Sequence, residues 1–328
     1  MYRFILRRIL LMIPTLFALS IISFIIIQAP PGDFVDSYVA RLRAQGDYIE
    51  EERIESLRAQ YSLDDPMMTR YFRWIGGVIR GNLGVSMNYN QAVTSIILDR
   101  LPYSFLITLL SLFLVYLIGI PIGILSAVKQ YSAWDYIATT VGFIGLGTPG
   151  FLLALLMLWI LYSLTGNAAV GLFSTEYLGA PWSWGKIVDL ANHLWLPASI
   201  VAFTGTASLI RTMRANLLDE LEKPYVMVAR AKGLNNLTML FKYPFRIAIN
   251  PIVSMIGWTL PRLITGEMLV SLVLGLPTLA PLFLESLRME DMYLAGGIVF
   301  VLTLFTLVGT LVSDILLAVI DIRIREET

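Results

Sequence analysis

Cysteine is absent from the 328-residue sequence, and histidine occurs only once, as His193. The lack of cysteine excludes structural disulfides, thiolate metal sites and a cysteine nucleophile. One histidine cannot build a histidine metal cluster by itself, so the sequence predicts no metal site. Charge is also scarce: Asp, Glu, Lys and Arg make up 15% of the residues, and the formal net charge is zero. Without a basic excess, nothing in the composition indicates binding to nucleic acid.

Apolar residues dominate the chain, with 57% hydrophobic residues and a mean hydropathy of +0.72. This composition is typical of a polytopic membrane protein in contact with membrane lipid. A signal peptide is the competing interpretation of the N-terminal apolar run, but that run is long for a signal core and no small-x-small cleavage site follows it. We therefore predict an all-α fold with six transmembrane helices, each long enough to cross a bilayer, at 9–28, 101–128, 137–163, 195–213, 246–275 and 292–320.

The segment 29–100, between predicted helices 1 and 2, differs in composition because charged residues occur throughout it. Residues 67–79 have a helical period in which the apolar side chains share one face and the arginines lie off that face. Such a helix either rests at the membrane interface or packs on the rest of its domain. The apolar face consists of Met67, Met68, Tyr71, Phe72, Ile75, Val78 and Ile79.

The distribution of Lys and Arg predicts the orientation in the membrane. With the N terminus inside, the outer loops 164–194 and 276–291 hold only Lys186 and Arg288, whereas the inner connections hold many basic residues. The segment 29–100 is too long for this rule to apply. We therefore predict cytoplasmic termini, with four parts in order: the N terminus and helix 1 (1–28), an extracytoplasmic segment (29–100), a membrane core (101–320) and a cytoplasmic tail (321–328).

The largest predicted cytoplasmic connection within the core is 215–245. One helix ends near Pro224 and a second begins at Tyr225, with small residues before a glycine that can cap it. Small side chains allow another protein's backbone to approach closely, and the basic side chains can pair with an acidic rim. The alternative is that a basic cytoplasmic loop merely follows the positive-inside rule.

The motif Val228-Ala-Arg-Ala-Lys-Gly-Leu234, followed by Asn250-Pro251, resembles the cytoplasmic "EAA" loop of ABC-importer permease subunits. It is most similar to the variety found in the dipeptide, oligopeptide and nickel permease family. Further similar motifs follow in order along nearly the whole chain: Phe4-Ile-Leu-Arg-Arg-Ile-Leu10, Ile13-Pro-Thr15, Pro31-Gly-Asp33, Tyr61-Ser-Leu-Asp-Asp-Pro66, Gly81-Asn-Leu-Gly-Val-Ser86, Arg100-Leu-Pro102, Gly119-Ile-Pro-Ile-Gly123, Thr148-Pro-Gly-Phe151, His193-Leu-Trp-Leu-Pro197, Arg211-Thr-Met-Arg214 and Asp321-Ile-Arg-Ile-Arg325.

Two positions depart from the family pattern. Met227 stands where the acid that gives the loop its name would be, although this family often lacks that acid. Ile322 replaces a proline expected near the C terminus.

The resemblance implies a type I ABC-importer permease in a prokaryotic cytoplasmic (inner) membrane. It implies four kinds of partner: a second, homologous permease subunit that completes the pore, two ATP-binding subunits, and an extracytoplasmic substrate-binding protein. ATP and Mg would bind the ATPase subunits and not this chain. The docking helix for the ATPases would comprise Tyr225, Ala229, Arg230, Ala231, Lys232, Gly233 and Leu234.

The sequence agrees that this chain is not itself an enzyme. It contains no G-x-x-x-x-G-K-[ST] phosphate loop, because its only Gly-Lys pair, Gly185-Lys186, is followed by Ile and lies in a predicted outer loop. An intramembrane enzyme would need a paired nucleophile and base in the core, and none is evident. Any ATP must bind another chain.

Of the charged residues in the predicted fifth helix, Arg262 and Glu267 lie away from its ends. Charge at membrane depth is costly and usually faces a cavity or a partner, so both are candidates for the translocation path. Arg262 could meet a substrate carboxylate or a pore-lining acid. The alternative is a structural ion pair with Glu267 or with the partner subunit.

The resemblance favours oligopeptides or dipeptides as cargo, with oligosaccharides or nickel as the alternative within the same importer type. A second alternative is an ion-coupled secondary transporter. That class predicts internal repeats and an acidic or histidine relay at mid-membrane, and the sequence has no clear repeat and few acids.

Overall fold

The computed structural model describes residues 2–28, 32–166 and 170–320. Within these ranges the chain is helical and has no β-strand, only an isolated antiparallel bridge between Val85 and Ala92. The predicted all-α class is therefore confirmed. The predicted cytoplasmic tail, 321–328, lies outside the described residues.

Fifteen α-helices follow one another in the described ranges, with one 3-10 turn at Thr175–Tyr177 between α7 and α8. The first half contains α1 Tyr2–Gln28, α2 Phe34–Ala44, α3 Glu51–Tyr61, α4 Met67–Ile79, α5 Val93–Val128, α6 Ala133–Gly147 and α7 Gly150–Thr165. The second half contains α8 Trp184–Leu221, α9 Pro224–Ala231, α10 Asn236–Lys242, α11 Pro244–Ala248, α12 Asn250–Ser254, α13 Ile256–Val273, α14 Leu279–Arg288 and α15 Met292–Ile320.

Four helices in the described ranges, α1, α5, α8 and α15, are long and apolar enough to cross a membrane. The predicted single helix 137–163 is wrong, because α6 and α7 meet at an angle of 105°. Thr148, which precedes Pro149, has extended backbone angles, φ −99° and ψ 118°, as the proline ring requires of its neighbour. The bent pair makes a fifth span if it is counted as one. The predicted count of six remains a prediction.

The predicted helix 246–275 is also interrupted. The chain forms α11, α12 and α13 in succession, with the interruptions at Ile249 and Met255. Pro244 and Pro251 stand in the first turns of α11 and α12, where a missing N–H costs nothing. Proline placement thus accounts for the interruption at Ile249. After the one at Met255, the Gly257 amide donates to the Ser313 hydroxyl at 2.9 Å and not to a carbonyl of the preceding turn.

The contacts between residues divide the described chain into two compact units. Among the described residues, the larger unit comprises those within 2–6, 103–277 and 308–320, and α8 lies at its centre, packed against α6, α7, α11 and α13. Glycines on α5 let this helix approach α8 closely: a Cβ at Gly123 would lie 2.6 Å from Met213 Cβ. Likewise, a Cβ at Gly205 on α8 would lie 2.8 Å from Val115 on α5. The α5–α8 contact thus follows the small-residue packing of membrane helices.

The smaller unit comprises 7–102 and 278–307. Its core joins α4 to residues of α1, α5, α14 and α15. Arg58 of α3 forms ion pairs with Asp33 (3.1 Å) and Asp36 (2.6 Å), which hold α3 to the first turn of α2. Asp291 is fully buried but well satisfied, because it accepts hydrogen bonds from the Ser86 hydroxyl at 2.6 Å and from the Asn88 amide at 3.0 Å.

Candidate functional site

The predicted docking element is a helical hairpin made of α9 and α10. Helix α8 ends at Leu221, and α9 begins at Pro224, a favoured first residue of a helix because its φ is preset and it has no N–H to satisfy. Asn235 starts α10 as its N-cap, with its side-chain oxygen accepting from the Leu237 amide at 3.2 Å. The predicted helix is confirmed, with its first residue at Pro224 in place of Tyr225.

A small apolar core holds the hairpin together. Val226 and Ala229 of α9 are buried against Met239 of α10. The Tyr225 hydroxyl donates a hydrogen bond to the carboxylate of Glu220, and burial together with this carboxylate raises the pKa of Tyr225. Because Glu220 belongs to α8, this bond ties the hairpin to the end of that long helix.

Gly233 ends α9 with the capping geometry of a Schellman motif. Its φ of +74° is left-handed, its amide donates to the Arg230 carbonyl at 2.9 Å, and the Leu234 amide donates to the Ala229 carbonyl at 3.4 Å. A Cβ at Gly233 would meet nothing within 4 Å. Glycine is therefore required at position 233 for its backbone conformation, since there is room for a side chain.

The outer side of the hairpin is both apolar and basic. Met227 and Val228 of α9 and Leu237 and Phe241 of α10 are large apolar side chains exposed to the surroundings. The exposed basic side chains of the hairpin are Arg230, Lys232 and Lys242, and Arg246 follows on α11. We call this surface, consisting of Met227, Val228, Arg230, Lys232, Leu237 and Phe241, the docking face.

The predicted docking residues fall into three groups according to their burial. Arg230, Ala231, Lys232 and Gly233 are exposed, and Tyr225 and Leu234 are half-buried. Ala229, however, is buried inside the hairpin. It is therefore not part of the exposed surface that carries Ala231. The small alanine therefore allows α9 to approach α10 of the same chain.

Sequence reasoning did not identify the exposed apolar members of the docking face. Met227 was noted only as a departure from the family's acid, and Leu237 and Phe241 were not singled out. The sequence does contain a signal for them: large apolar side chains in a polar, basic connection outside the membrane indicate a surface that a partner covers.

An ion pair between a buried carboxylate and a half-buried guanidinium, also not identified from the sequence, joins three helices of the larger unit. Arg214 of α8 binds both carboxylate oxygens of Asp135 of α6, at 2.7 and 2.9 Å. The Ser126 hydroxyl of α5 and the Tyr131 amide (2.9 Å) also donate to Asp135. Bidentate pairing of this kind fixes orientation as well as distance. We call Ser126, Asp135 and Arg214 the three-helix brace.

The two residues predicted to line the translocation path, Arg262 and Glu267, have different surroundings in the structure. Arg262 is exposed and lines a cavity of about 170 Å³ between α8 and α13, together with the hydroxyl side chains of Thr204, Ser208 and Thr259. Glu267, by contrast, is buried with 2% of its surface exposed, and it accepts a hydrogen bond from the Ser271 hydroxyl at 2.6 Å. Arg262 therefore lines a cavity, whereas Glu267 is enclosed by the packing around α13.

Comparison with known protein families covers nearly the whole chain. Residues 119–326 match the model for the binding-protein-dependent transport system inner membrane component, and residues 1–108 match the model for the N-terminal part of such membrane components. The chain belongs to this family. The resemblance inferred from its motifs is thereby confirmed, and the chain is a permease component of a binding-protein-dependent ABC importer, a system that includes ATPase and substrate-binding partners.

Curated relatives of the permease match it from end to end. The oligopeptide transport system permease protein AppB of Bacillus subtilis is 34% identical over 326 residues, which is 99% of this chain and 100% of the relative. The dipeptide transport system permease protein DppB of Escherichia coli is 30% identical, with both chains covered completely. The peptidoglycan transport system permease protein YejB of Agrobacterium fabrum is 31% identical, covering 99% of this chain and 98% of the relative.

Proposed function

We propose that this permease forms one half of the pore of an ATP-driven importer for oligopeptides or dipeptides. A second, homologous permease subunit would supply the other half, and a substrate-binding protein would deliver the cargo from outside the cytoplasm. The names of two full-length relatives, an oligopeptide and a dipeptide permease, support peptides as the cargo.

The observation that carries the energy-coupling part of this proposal is the docking face. Exposed Met227, Val228 and Leu237 offer apolar area for a stable contact, and Arg230 and Lys232 offer charge for a partner with an acidic rim. One ATPase subunit would bind this face and a second would bind the corresponding face of the partner permease. ATP and Mg would bind only those subunits.

The contacts around α9 suggest how movement would pass from the ATPases to the pore. The Tyr225–Glu220 bond ties α9 to α8, and farther along α8 the three-helix brace ties Arg214 to α6 and α5. A displacement of the docking face would therefore move α8 together with two neighbouring helices. Such rigid-body movement is the usual form of switching between two states of a transporter.

The cavity at Arg262 is the proposed place of contact between this permease and its cargo. At about 170 Å³ it is smaller than the pockets that enclose whole ligands, so it would hold one end group of a peptide. A guanidinium beside three hydroxyl side chains suits a carboxylate. We propose that Arg262 pairs with the peptide's C-terminal carboxylate during passage.

The orientation in the inner membrane is also part of the proposal. The excess of Lys and Arg in the inner connections supports cytoplasmic termini and a cytoplasmic docking face. The binding protein would then meet the opposite side, where residues 29–100 begin.

The proposal is tested by native mass spectrometry of the complex that co-purifies with the tagged permease, followed by uptake into proteoliposomes. We expect a second permease, two ATPase subunits and a binding protein that carries ligands of peptide mass. A ligand with the mass of hexose units, or bound nickel, would agree with an importer but contradict peptides as its cargo. Isolation of the chain alone, with ion-driven uptake, would contradict the importer.

The role of Arg262 is tested with peptides that differ only at the C terminus. Arg262→Gln should lower uptake of a free-acid peptide and leave uptake of its C-terminal amide unchanged, because the amide has no carboxylate for the guanidinium. Arg262→Lys keeps the charge and should fall between these results. An equal loss for both peptides would show that Arg262 acts in packing and not on the carboxylate.

A further inference from the structure

We infer that α4 lies in the membrane interface and is not surrounded by water, with Met68, Phe72 and Ile79 in contact with lipid acyl chains. The leaflet concerned is the one that contains the Gln28 end of α1. This inference goes beyond the transport proposal, and it places part of the segment 29–100 at membrane depth.

The exposed stripe of α4 is wholly apolar. Met68, Phe72 and Ile79 are 70%, 62% and 81% exposed, values that water-facing apolar side chains rarely reach together. At 3.6 residues per turn their directions from the helix axis fall within about 40° of one another. Thr69, Arg73, Gly76 and Arg80 occupy the adjoining polar side. The helix thus has three faces: buried, apolar but uncovered, and polar.

Contacts with α1 fix how deep α4 lies. The Tyr71 hydroxyl shares a hydrogen bond of 2.8 Å with the Ser20 hydroxyl, and the rings of Trp74 and Phe24 stack with their centroids 5.8 Å apart. Phe24 and Ser20 precede Gln28, the last residue of α1, by about 6 and 12 Å along the helix axis. The uncharged stretch 9–28 is about 30 Å long, which matches the hydrocarbon thickness of a bilayer. The buried side of α4 therefore packs below the membrane surface.

A second spanning helix gives the same depth independently. On α15, a Cβ at Gly296 would lie 3.2 Å from the Trp74 ring, and the Phe300 ring meets Trp74 edge-on at 6.5 Å. Gly296 and Phe300 follow the start of α15 at Met292 by about 6 and 12 Å. Interfacial helices bury their apolar face about 5–10 Å into the boundary between headgroups and acyl chains.

The charged side chains of α4 are arranged as this placement requires. Arg70 donates hydrogen bonds to the Gln28 side chain and to the Leu63 carbonyl (3.2 Å), so its head lies at the outer end of α1. Arg73 forms an ion pair with Asp65 at 2.7 Å. Both guanidinium groups are thus held on the side of α4 that faces away from the hydrocarbon, where snorkelling side chains belong.

The lipid-facing surface of α1 continues that of α4. On the same helix against which α4 packs, Ile22, Ile25 and Ile26 are exposed apolar side chains within a candidate membrane span. An exposed apolar stripe packed beside them at the same depth meets the same surroundings. Acyl chains are therefore the occupant that this geometry supports.

The absence of cysteine allows a direct test in the assembled importer, reconstituted in lipid nanodiscs. Met68→Cys, Phe72→Cys and Ile79→Cys would each carry a nitroxide spin label. The label's collision rates with molecular oxygen, which concentrates in lipid, and with a water-soluble nickel chelate would then be measured. Ile22→Cys on α1 is the lipid reference, and Tyr48→Cys, at an exposed position between α2 and α3, is the water reference.

We expect the ratio of oxygen to nickel collisions at the three α4 positions to match that at position 22 and to exceed that at position 48 several-fold. A ratio equal to that at position 48 would place the stripe in water and overturn the inference. Low collision rates with both reagents would show that a protein partner covers the stripe, which would overturn it as well. Three label positions keep the test decisive if one variant fails to assemble.

Discussion

Helices α1 and α8 both extend far enough to cross a bilayer, yet their surroundings differ sharply. Of the apolar stretch in α1 only 11% is buried within the protein, against 61% in α8. The more buried helix is the less apolar one, because α8 carries hydroxyl side chains, His193 and Arg214, whereas α1 is uncharged from 9 to 28. In a soluble protein the order would be reversed.

The difference shows what holds a membrane protein together. Lipid tails solvate an apolar side chain as well as a protein core does. Burial of the apolar α1 inside the protein would therefore gain no hydrophobic free energy. Close approach and polar contacts determine which helix is buried. Helix α8 has both: the Ser111 hydroxyl of α5 donates to its Ala198 carbonyl at 3.1 Å, α5 glycines face it, and Arg214 pairs with Asp135.

The largest expected effect comes from removing one partner of the three-helix brace. Arg214→Ala leaves the carboxylate of Asp135 buried without its counterion, and loss of one partner of a buried pair costs about 3–5 kcal/mol. We expect a large fall in the thermal stability of the importer and in uptake. The double variant Arg214→Ala, Asp135→Asn should recover part of the loss. Equal stability of the single and double variants would contradict the brace.

A smaller effect is expected where α5 approaches α8. Gly123→Leu forces side-chain atoms into Met213, and overpacking of this kind costs about 1–3 kcal/mol. Gly147→Leu is the matched control, because a Cβ at Gly147 meets nothing within 4 Å. Thermal unfolding in detergent should separate the two variants. If they are equally stable, close packing does not explain why α8 is central.

Gly233→Trp should lower the stability by less than Gly123→Leu does. Open space surrounds this glycine, so only its left-handed φ opposes a side chain, at a cost of about 1–2 kcal/mol. The effect on function should be larger: ATP hydrolysis should no longer drive uptake, since the cap sets the shape of the docking face. Gly179→Trp is a matched control, with φ +73° and equally open space. Uptake per ATP hydrolysed should fall only for Gly233→Trp.

The smallest expected effect is that of Leu10→Ala on α1. This side chain is exposed on a membrane-spanning helix, and its truncation should change stability by no more than about 0.5 kcal/mol. The same truncation on α8, Leu209→Ala, removes a fully buried side chain and should cost about 2–5 kcal/mol. Similar losses for both would remove the distinction between the two helices.

The parts of this structure that depend on neighbouring residues could be predicted from the sequence. The end of α8, the start of α9 at Pro224 and the cap at Gly233 all follow from local proline and glycine chemistry. The bend at Thr148-Pro149 has a local signal, because the 145–150 run contains a proline and three glycines. The apolar residues on both sides predicted one span, however, and the angle of 105° could not be predicted.

The parts that depend on distant residues could not be predicted. Asp135 and Arg214 are 79 positions apart, and nothing in either local sequence identifies the other as its partner. The burial of Ala229 depends on Met239, a residue of α10 that contacts it only because α10 packs against α9. Arg262 and Glu267 looked equivalent in the sequence, and only the packing of α13 distinguishes the exposed side chain from the buried one.

Helices α9 and α10 are proposed to present the surface on which an ATPase subunit binds. Since the chain has no cysteine, Met227→Cys and Val228→Cys can each carry a photo-crosslinker in the intact importer, with Tyr48→Cys as the control outside the docking face. We predict crosslinks from positions 227 and 228 to an ATPase subunit, with a yield that changes when ATP is added, and none from position 48. An intact importer in which neither position crosslinks to an ATPase would contradict the account.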